Sequence, residues 1–195
     1  KKKEAAEYEK RAKAYRNVWC DSVQWFRARV KGGGWLPWRG RTAQDQGTTE
    51  SNPFQQGWFV PHDIDGMKAL MGGQKKFDAE LEEFFANVPE DFLWNDYYNH
   101  PNEPNHHVPF LFNYSSCPWL TQKWTRKICD KAYGDDVLGL CGNEDVGQMS
   151  AWYVLAAMGI HPVCPGNPRY EITSPVFESV EIKLDAHFYS GKNFK

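Results

Sequence analysis

Punctuation dominates this chain. Segments with a helical repeat of apolar residues are short, and long runs rich in Gly, Pro, Asn and small polar residues separate them. One such run, "VKGGGWLPWRGRTAQDQGTTESNP", fills positions 30–53. A second, "NDYYNHPNEPNHHVPF", fills 95–110, and a third, "GDDVLGLCGNEDVG", fills 134–147. Backbone in such runs cannot sit in a regular core element, because Pro lacks a donor and Gly resists ordering. Long ordered loops in a compact domain are more often functional than idle. The chain therefore reads as helices joined by loops, with the chemistry in the loops.

The helical segments follow from periodicity. Ala5, Tyr8, Ala12, Tyr15 and Trp19 predict a helix from Lys1 to Trp19. A second helix is expected over about 54–71, interrupted near Pro61. In "FDAELEEFFANV" Asp78 suits an N-cap, and Leu81, Phe84, Phe85 and Val88 share a face. Pro118 opens another helix, with Leu120, Trp124 and Ile128 on one side and Gly134 as its stop. The last, "QMSAWYVLAAM", carries Met149, Trp152, Tyr153, Ala156 and Ala157 on one face and ends at Gly159. The period then changes. In "VFESVEIKL" Val180, Ile182 and Leu184 alternate with Ser179, Glu181 and Lys183, which is strand patterning.

Composition narrows the partners. A net charge of −2 and a pI near 6.3 give no footprint for nucleic acid or an anionic membrane. No apolar run reaches the length of a membrane span. Five cysteines occur without a CxxC pair, so neither a zinc knuckle nor a thioredoxin motif is present. Aromatic residues make up 15% of the chain, which suits an aromatic core or a cleft on which sugar rings stack. The chain lacks an initiator Met and opens inside a helical pattern, so it is expected to be a segment of a longer protein; the missing signal peptide then says nothing about export.

Each loop carries acids: Glu50 in the first, with His62 and Asp63 following; Glu103 in the second; Glu144 and Asp145 in the third. Cleavage of a glycosidic bond uses one protonated carboxylic acid and one ionised carboxylate. If a helix follows Glu50, Phe54 and Trp58 lie one and two turns away, an apolar setting suited to the acid. Asp145 precedes a helix N-terminus, where free N–H groups favour an anion. Structural roles stand beside these. Asp145 also fits a simple N-cap, Glu50 a solvated loop acid, and "VPHD" a structural turn. The histidines His100, His106 and His107 around Glu103 raise zinc, but the spacing is not HExxH, and Pro104 breaks the helix that motif needs. Calcium, bound by hard oxygens from Asn102, Glu103 and a carbonyl near His106, is the other metal reading, and on the residues alone a loop without metal is favoured over both.

Three stretches taken together resemble glycoside hydrolase family 92, the calcium-dependent α-mannosidases: "TTESNPFQQGWFVPHDIDGMKALMGG", "NEPNHHVPFLFNYSSCPW" and "GLCGNEDVGQMSAWYVLAAMGIHPVCPGNPRYEITSPVFESVEIKL". The resemblance implies a mainly α fold, with residues 1–165 as part of an (α/α)6 barrel and 166–195 as a β segment returning to an N-terminal β-sandwich that lies outside this chain. It implies removal of terminal α-mannose from glycans with inversion. By motif position Glu50 would be the general acid and Asp145 the general base, with Asn143 or Glu144 positioning the water. Glu103, with Asn102 and the His106 carbonyl, would hold a calcium ion that binds the O2 and O3 hydroxyls and distorts the sugar. Trp58, His62 and Asp63 would line the sugar pocket. The substrate class favours a secreted, periplasmic or vacuolar setting. Ser51 stands where the family usually has Gly and Pro53-Phe54 where Ala-Trp is more common, departures in the Glu50 loop that bear on substrate preference; Ile160-His161 also replaces Phe-Tyr. The rival readings are a truncated or degenerate glycan-binding segment without catalysis and a His-ligated zinc hydrolase.

Overall fold

The computed structural model describes all 195 residues. The chain is mainly helical, with a few strands of two residues each. Helix α1 (Lys2–Ala12) leads through a 3-10 turn (Ala14–Val18) into a hairpin of β1 (Trp19–Cys20) and β2 (Trp25–Phe26). Helices α2 (Pro53–Gln56), α3 (Ile64–Met71) and α4 (Gln74–Ala86) follow the first long loop. The second loop folds into 3-10 turns at Glu103–Asn105 and Val108–Tyr114 before α5 (Trp119–Lys131). The third leads into α6 (Gln148–Ala157). Two small antiparallel pairs close the chain, β3 (Ile160–His161) with β4 (Glu171–Ile172) and β5 (Ile182–Lys183) with β6 (Asn193–Phe194). No helix is long and apolar enough to cross a membrane.

The core is built largely of aromatic rings meeting edge to face. Trp25 meets Trp58 at 5.4 Å and Phe54 meets Phe84 at 4.8 Å between centroids. Such pairs add about 0.5–1.5 kcal/mol each beyond the area they bury. Much of the 15% aromatic content is thus structural.

Several sequence expectations shift. The first helix stops at Ala12 rather than Trp19, and Trp19 instead pairs with Phe26 across the hairpin. The hairpin turns at Gln24, which adopts φ +52° without a glycine to announce it. Asp78 is not an N-cap: Gly73 occupies that position, and Gly72 and Gly73, at φ +97° and +105°, make the sharp α3–α4 corner. Asp78 lies inside α4, accepting from Gln74 Nε2 at 2.6 Å and from the Ser116 amide at 3.2 Å. Helix α5 ends at Lys131, before Gly134, whose amide bonds the Gly139 carbonyl at 2.8 Å. The late alternation holds, with Val180, Ile182 and Leu184 half-buried and their neighbours exposed, although the ladder there spans only Ile182–Lys183.

Candidate active site

Glu50 sits on a turn that the rest of its loop makes rigid. Asn52 caps α2 by accepting from the Gln55 amide, and the Gln55 side chain accepts from the Asn52 amide in return. The Asn52 amide group also donates to the Thr42 and Asp96 carbonyls. Ser51, buried, donates to Gln56 Oε1 at 2.7 Å. With its successors fixed, Glu50 takes φ +54°, an uncommon angle for a non-glycine residue, and is exposed. The expected apolar setting is not found. Helix α2 is one turn long, and Phe54 and Trp58, both 0% exposed, face the core instead.

The second loop reaches back to the first, since Asn102 Nδ2 donates to the Glu50 carbonyl at 2.9 Å. Glu103 follows, its Oε1 buried without a hydrogen-bond partner. Asn99 Oδ1 and both polar atoms of the Asn105 side chain are buried and unpartnered as well. Burial raises the Glu103 pKa, and the carboxylates of Asp145, within hydrogen-bond reach, and of Glu50 push it the same way. The fold thus brings Glu50, Glu103 and Asp145, one from each loop, into a single electrostatic neighbourhood. A buried carboxyl oxygen without a partner is the kind of donor a hard cation takes, so Glu103 fits calcium. Asn99 and Asn105 were not singled out from sequence; their spacing of three on either side of Asn102 was the available signal.

In the third loop Asp145, Val146 and Gly147 run consecutively through the left-handed region at φ +44°, +61° and +90°. That conformation costs a β-branched residue most, and Val146 bears it fully exposed. Asp145 is not the helix cap. Gly147 occupies the N-cap position, and Glu144, from the turn before it, accepts from the Ser150 amide at 3.2 Å and the Ser150 hydroxyl at 2.8 Å. Asn143 is exposed. Gly142 has no room for a side chain, because a Cβ there would lie 2.6 Å from the Pro101 carbonyl oxygen of the second loop.

The expected sugar-pocket residues do not join this group. Trp58 is a core residue whose carbonyl accepts from His107. His62 bonds the Ala12 carbonyl at 2.8 Å. Asp63 caps α3 at Gly66, pairs with Lys13 at 2.7 Å and accepts from the Tyr15 hydroxyl at 2.6 Å. His62 and Asp63 line a cavity of about 170 Å³, whereas Glu103 lines one of about 410 Å³ with His106, Gln148, Trp152 and His161. Both residues therefore do the structural work of a turn.

The histidine set does not form a zinc site. His100 lies between the hydroxyls of Tyr98 and Tyr133, each at 2.7 Å. His106 contacts the His100 carbonyl and Gln148, and His107 the Trp58 carbonyl. Burial lowers His106 and His107 to about 4, so both are neutral. No group of three or more His, Cys, Asp or Glu side chains is placed to hold a metal.

Carboxyl groups gathered by the loops of a mainly helical scaffold are the equipment of a glycoside hydrolase, and comparison with known proteins agrees. The catalytic-domain model of glycosyl hydrolase family 92 matches residues 1–195. The chain belongs to that family. It is 35% identical over 151 residues to a protein of Arthroderma benhamiae described as an uncharacterized secreted glycosidase, covering 77% of this chain and 18% of the relative. Among solved structures it is similar to the family GH92 alpha-mannosidase BT3965 of Bacteroides thetaiotaomicron, with 35% identity, a TM-score of 0.81, and coverage of 92% of this chain and 23% of that one. The family GH92 inverting mannosidase BT2199 of the same organism gives 33% identity, a TM-score of 0.83, and coverage of 97% and 27%. The chain thus spans well under a third of the length of these relatives.

Proposed function

We propose that this chain carries part of the active site of an exo-acting α-mannosidase that hydrolyses terminal α-mannose from glycans with inversion. The observation that carries the reading is the meeting of Glu50, Glu103 and Asp145 from three separate loops. The names borne by the solved relatives supply the substrate class and the stereochemistry. In this reading residues 1–165 belong to an (α/α)6 barrel and 166–195 return to a β-sandwich. The description of the Arthroderma benhamiae relative as secreted supports an extracytoplasmic setting.

Glu50 is the general acid, its carboxyl projecting from a fixed turn toward the leaving oxygen. Asp145 is the general base on the attacking water. An inverting pair needs a separation of roughly 6.5–9.5 Å to admit that water. Glu144, committed to Ser150, fixes the turn that aims Asp145. Asn143, exposed beside it, is left to orient the water. Glu103, Asn102 and the His106 carbonyl would hold calcium, and the Trp152 indole, which donates to that carbonyl, fixes its position. A calcium ion held there would supply Lewis-acid chemistry at the sugar hydroxyls.

In the protein that carries this chain, Asp145→Asn is expected to remove turnover of an α-mannoside by at least ~100-fold without loss of fold. Chelation should abolish release of mannose, with calcium and not zinc restoring it. Substantial hydrolysis by the Asn variant would rule out Asp145 as base. Recovery with zinc alone would sink the calcium reading. A folded wild-type protein that binds mannosides but never cleaves them would establish a non-catalytic glycan-binding role.

A further inference from the structure

His100 is buried and makes two short bonds that no catalytic role explains. Its Nδ1 lies 2.7 Å from the Tyr98 hydroxyl, and its Nε2 lies 2.7 Å from the Tyr133 hydroxyl. Tyr133 in turn donates to the Met149 carbonyl at 3.2 Å, in the first turn of α6. A phenol has one proton to give. Tyr133 gives its proton to Met149, so it must accept from His100 Nε2–H. His100 Nδ1 then carries no proton and accepts from Tyr98, whose hydroxyl has no other partner. The reverse tautomer would leave the Tyr98 proton buried and unbonded, which is costly. Only one direction of donation satisfies every group: Tyr98 to His100 to Tyr133 to Met149.

This chain of bonds ties the second loop to the start of α6, and two more ties run beside it. Gln148 Nε2 lies 3.1 Å from His106 Nδ1, and Trp152 Nε1 donates to the His106 carbonyl at 2.8 Å. Glu103 lies between the two anchored histidines, and Asp145 lies just before the anchored turn. Glu103 and Asp145 face each other across the two loops, so their relative placement depends on how those loops are held together. We propose that His100, as the neutral Nε2–H tautomer, acts with Tyr133 as the positioning pair that holds the second loop against the third and so sets the placement of Glu103 relative to Asp145.

The inference rests on the mannosidase reading for its kinetic consequence but not for its structural one. In protein labelled with 15N-histidine, the His100 signals should show a protonated Nε2 and an unprotonated Nδ1. A protonated Nδ1 would overturn the proposal. Tyr133→Phe keeps the ring that stacks on Trp152 at 5.9 Å while removing both bonds. In this variant the Gln148 and Met149 amides, which bond back to Asp145 and Glu144, should exchange with solvent faster. The value of kcat should fall about 10–100-fold with KM little changed, the size typical of lost supporting contacts. Tyr153→Phe, a neighbour whose ring packs on Tyr133 at 4.9 Å, should leave kcat as it is. Unaltered exchange and kcat in Tyr133→Phe would refute the positioning role. A wild type inactive on mannosides would defeat the mannosidase reading alone, with tautomer and exchange still deciding the bond chain.

Discussion

Glu103 holds a charge where the folded chain by itself gives it little support. One carboxyl oxygen is buried without a partner, and two other acids stand beside it. Its raised pKa means that folding disfavours the ionised form, so the residue lowers stability above its ordinary titration range. Glu103→Gln is therefore expected to stabilise the cation-free protein by ~0.5–2 kcal/mol while removing activity, the usual exchange of stability for function. Thermal unfolding in chelator checks this. A lower Tm for the Gln variant would show that Glu103 is already well satisfied. Gly142 shows the same site from the packing side, since its missing side chain lets the third loop rest on the Pro101 carbonyl.

Helix α1 is the least secured of the longer helices. It has 11 residues, none of them buried, and isolated helices of that length are marginal in water. Helix α4, by contrast, buries Phe77, Leu81, Phe84 and Phe85. Amides of Lys2–Ala12 are thus expected to exchange with solvent faster than those of any other helix of eight or more residues. Protection there equal to that of α4 would contradict this and would point to a surface that covers α1 in solution. Helix α6 is different again. Glu144 accepts from an amide of its first turn, and that turn is also where the second loop is fastened.

Across the molecule, Asp63 joins the N-terminal segment to α3. Burial opposes its charge, but hydrogen bonds from Lys13 and Tyr15 and the Lys13 charge outweigh burial and lower the carboxyl from 3.8 to about 2. A folded pKa below the unfolded value gives stability that is present above about pH 4 and is lost as pH falls toward about 2. Asp63→Asn should accordingly be less stable than wild type at about pH 6, and the gap should close by about pH 2. A gap independent of pH in denaturant unfolding would show that the charge does not matter. Burial also decides which aromatic residues serve the core: Trp58 reads as a sugar platform in sequence but lies sealed among Trp25, Phe54, Phe77 and Phe84.

The sequence by itself determined that the chain is mainly helical, where most of the helices lie, and the family. Those follow from local periodicity, from Pro and Gly, and from motifs that are contiguous in the chain. It misplaced the cap before α4, missed the hairpin at Trp19 and misassigned Trp58, because those depend on backbone angles and burial that neighbours distant in sequence impose. Only the tertiary structure decided that Gly147, and not Asp145, takes the N-cap of α6 and that Glu144 bonds Ser150. It also decided that Glu50 is exposed and that Glu103 meets Asp145 across two loops. These are relations between segments tens of residues apart, and no local pattern encodes the distance between them.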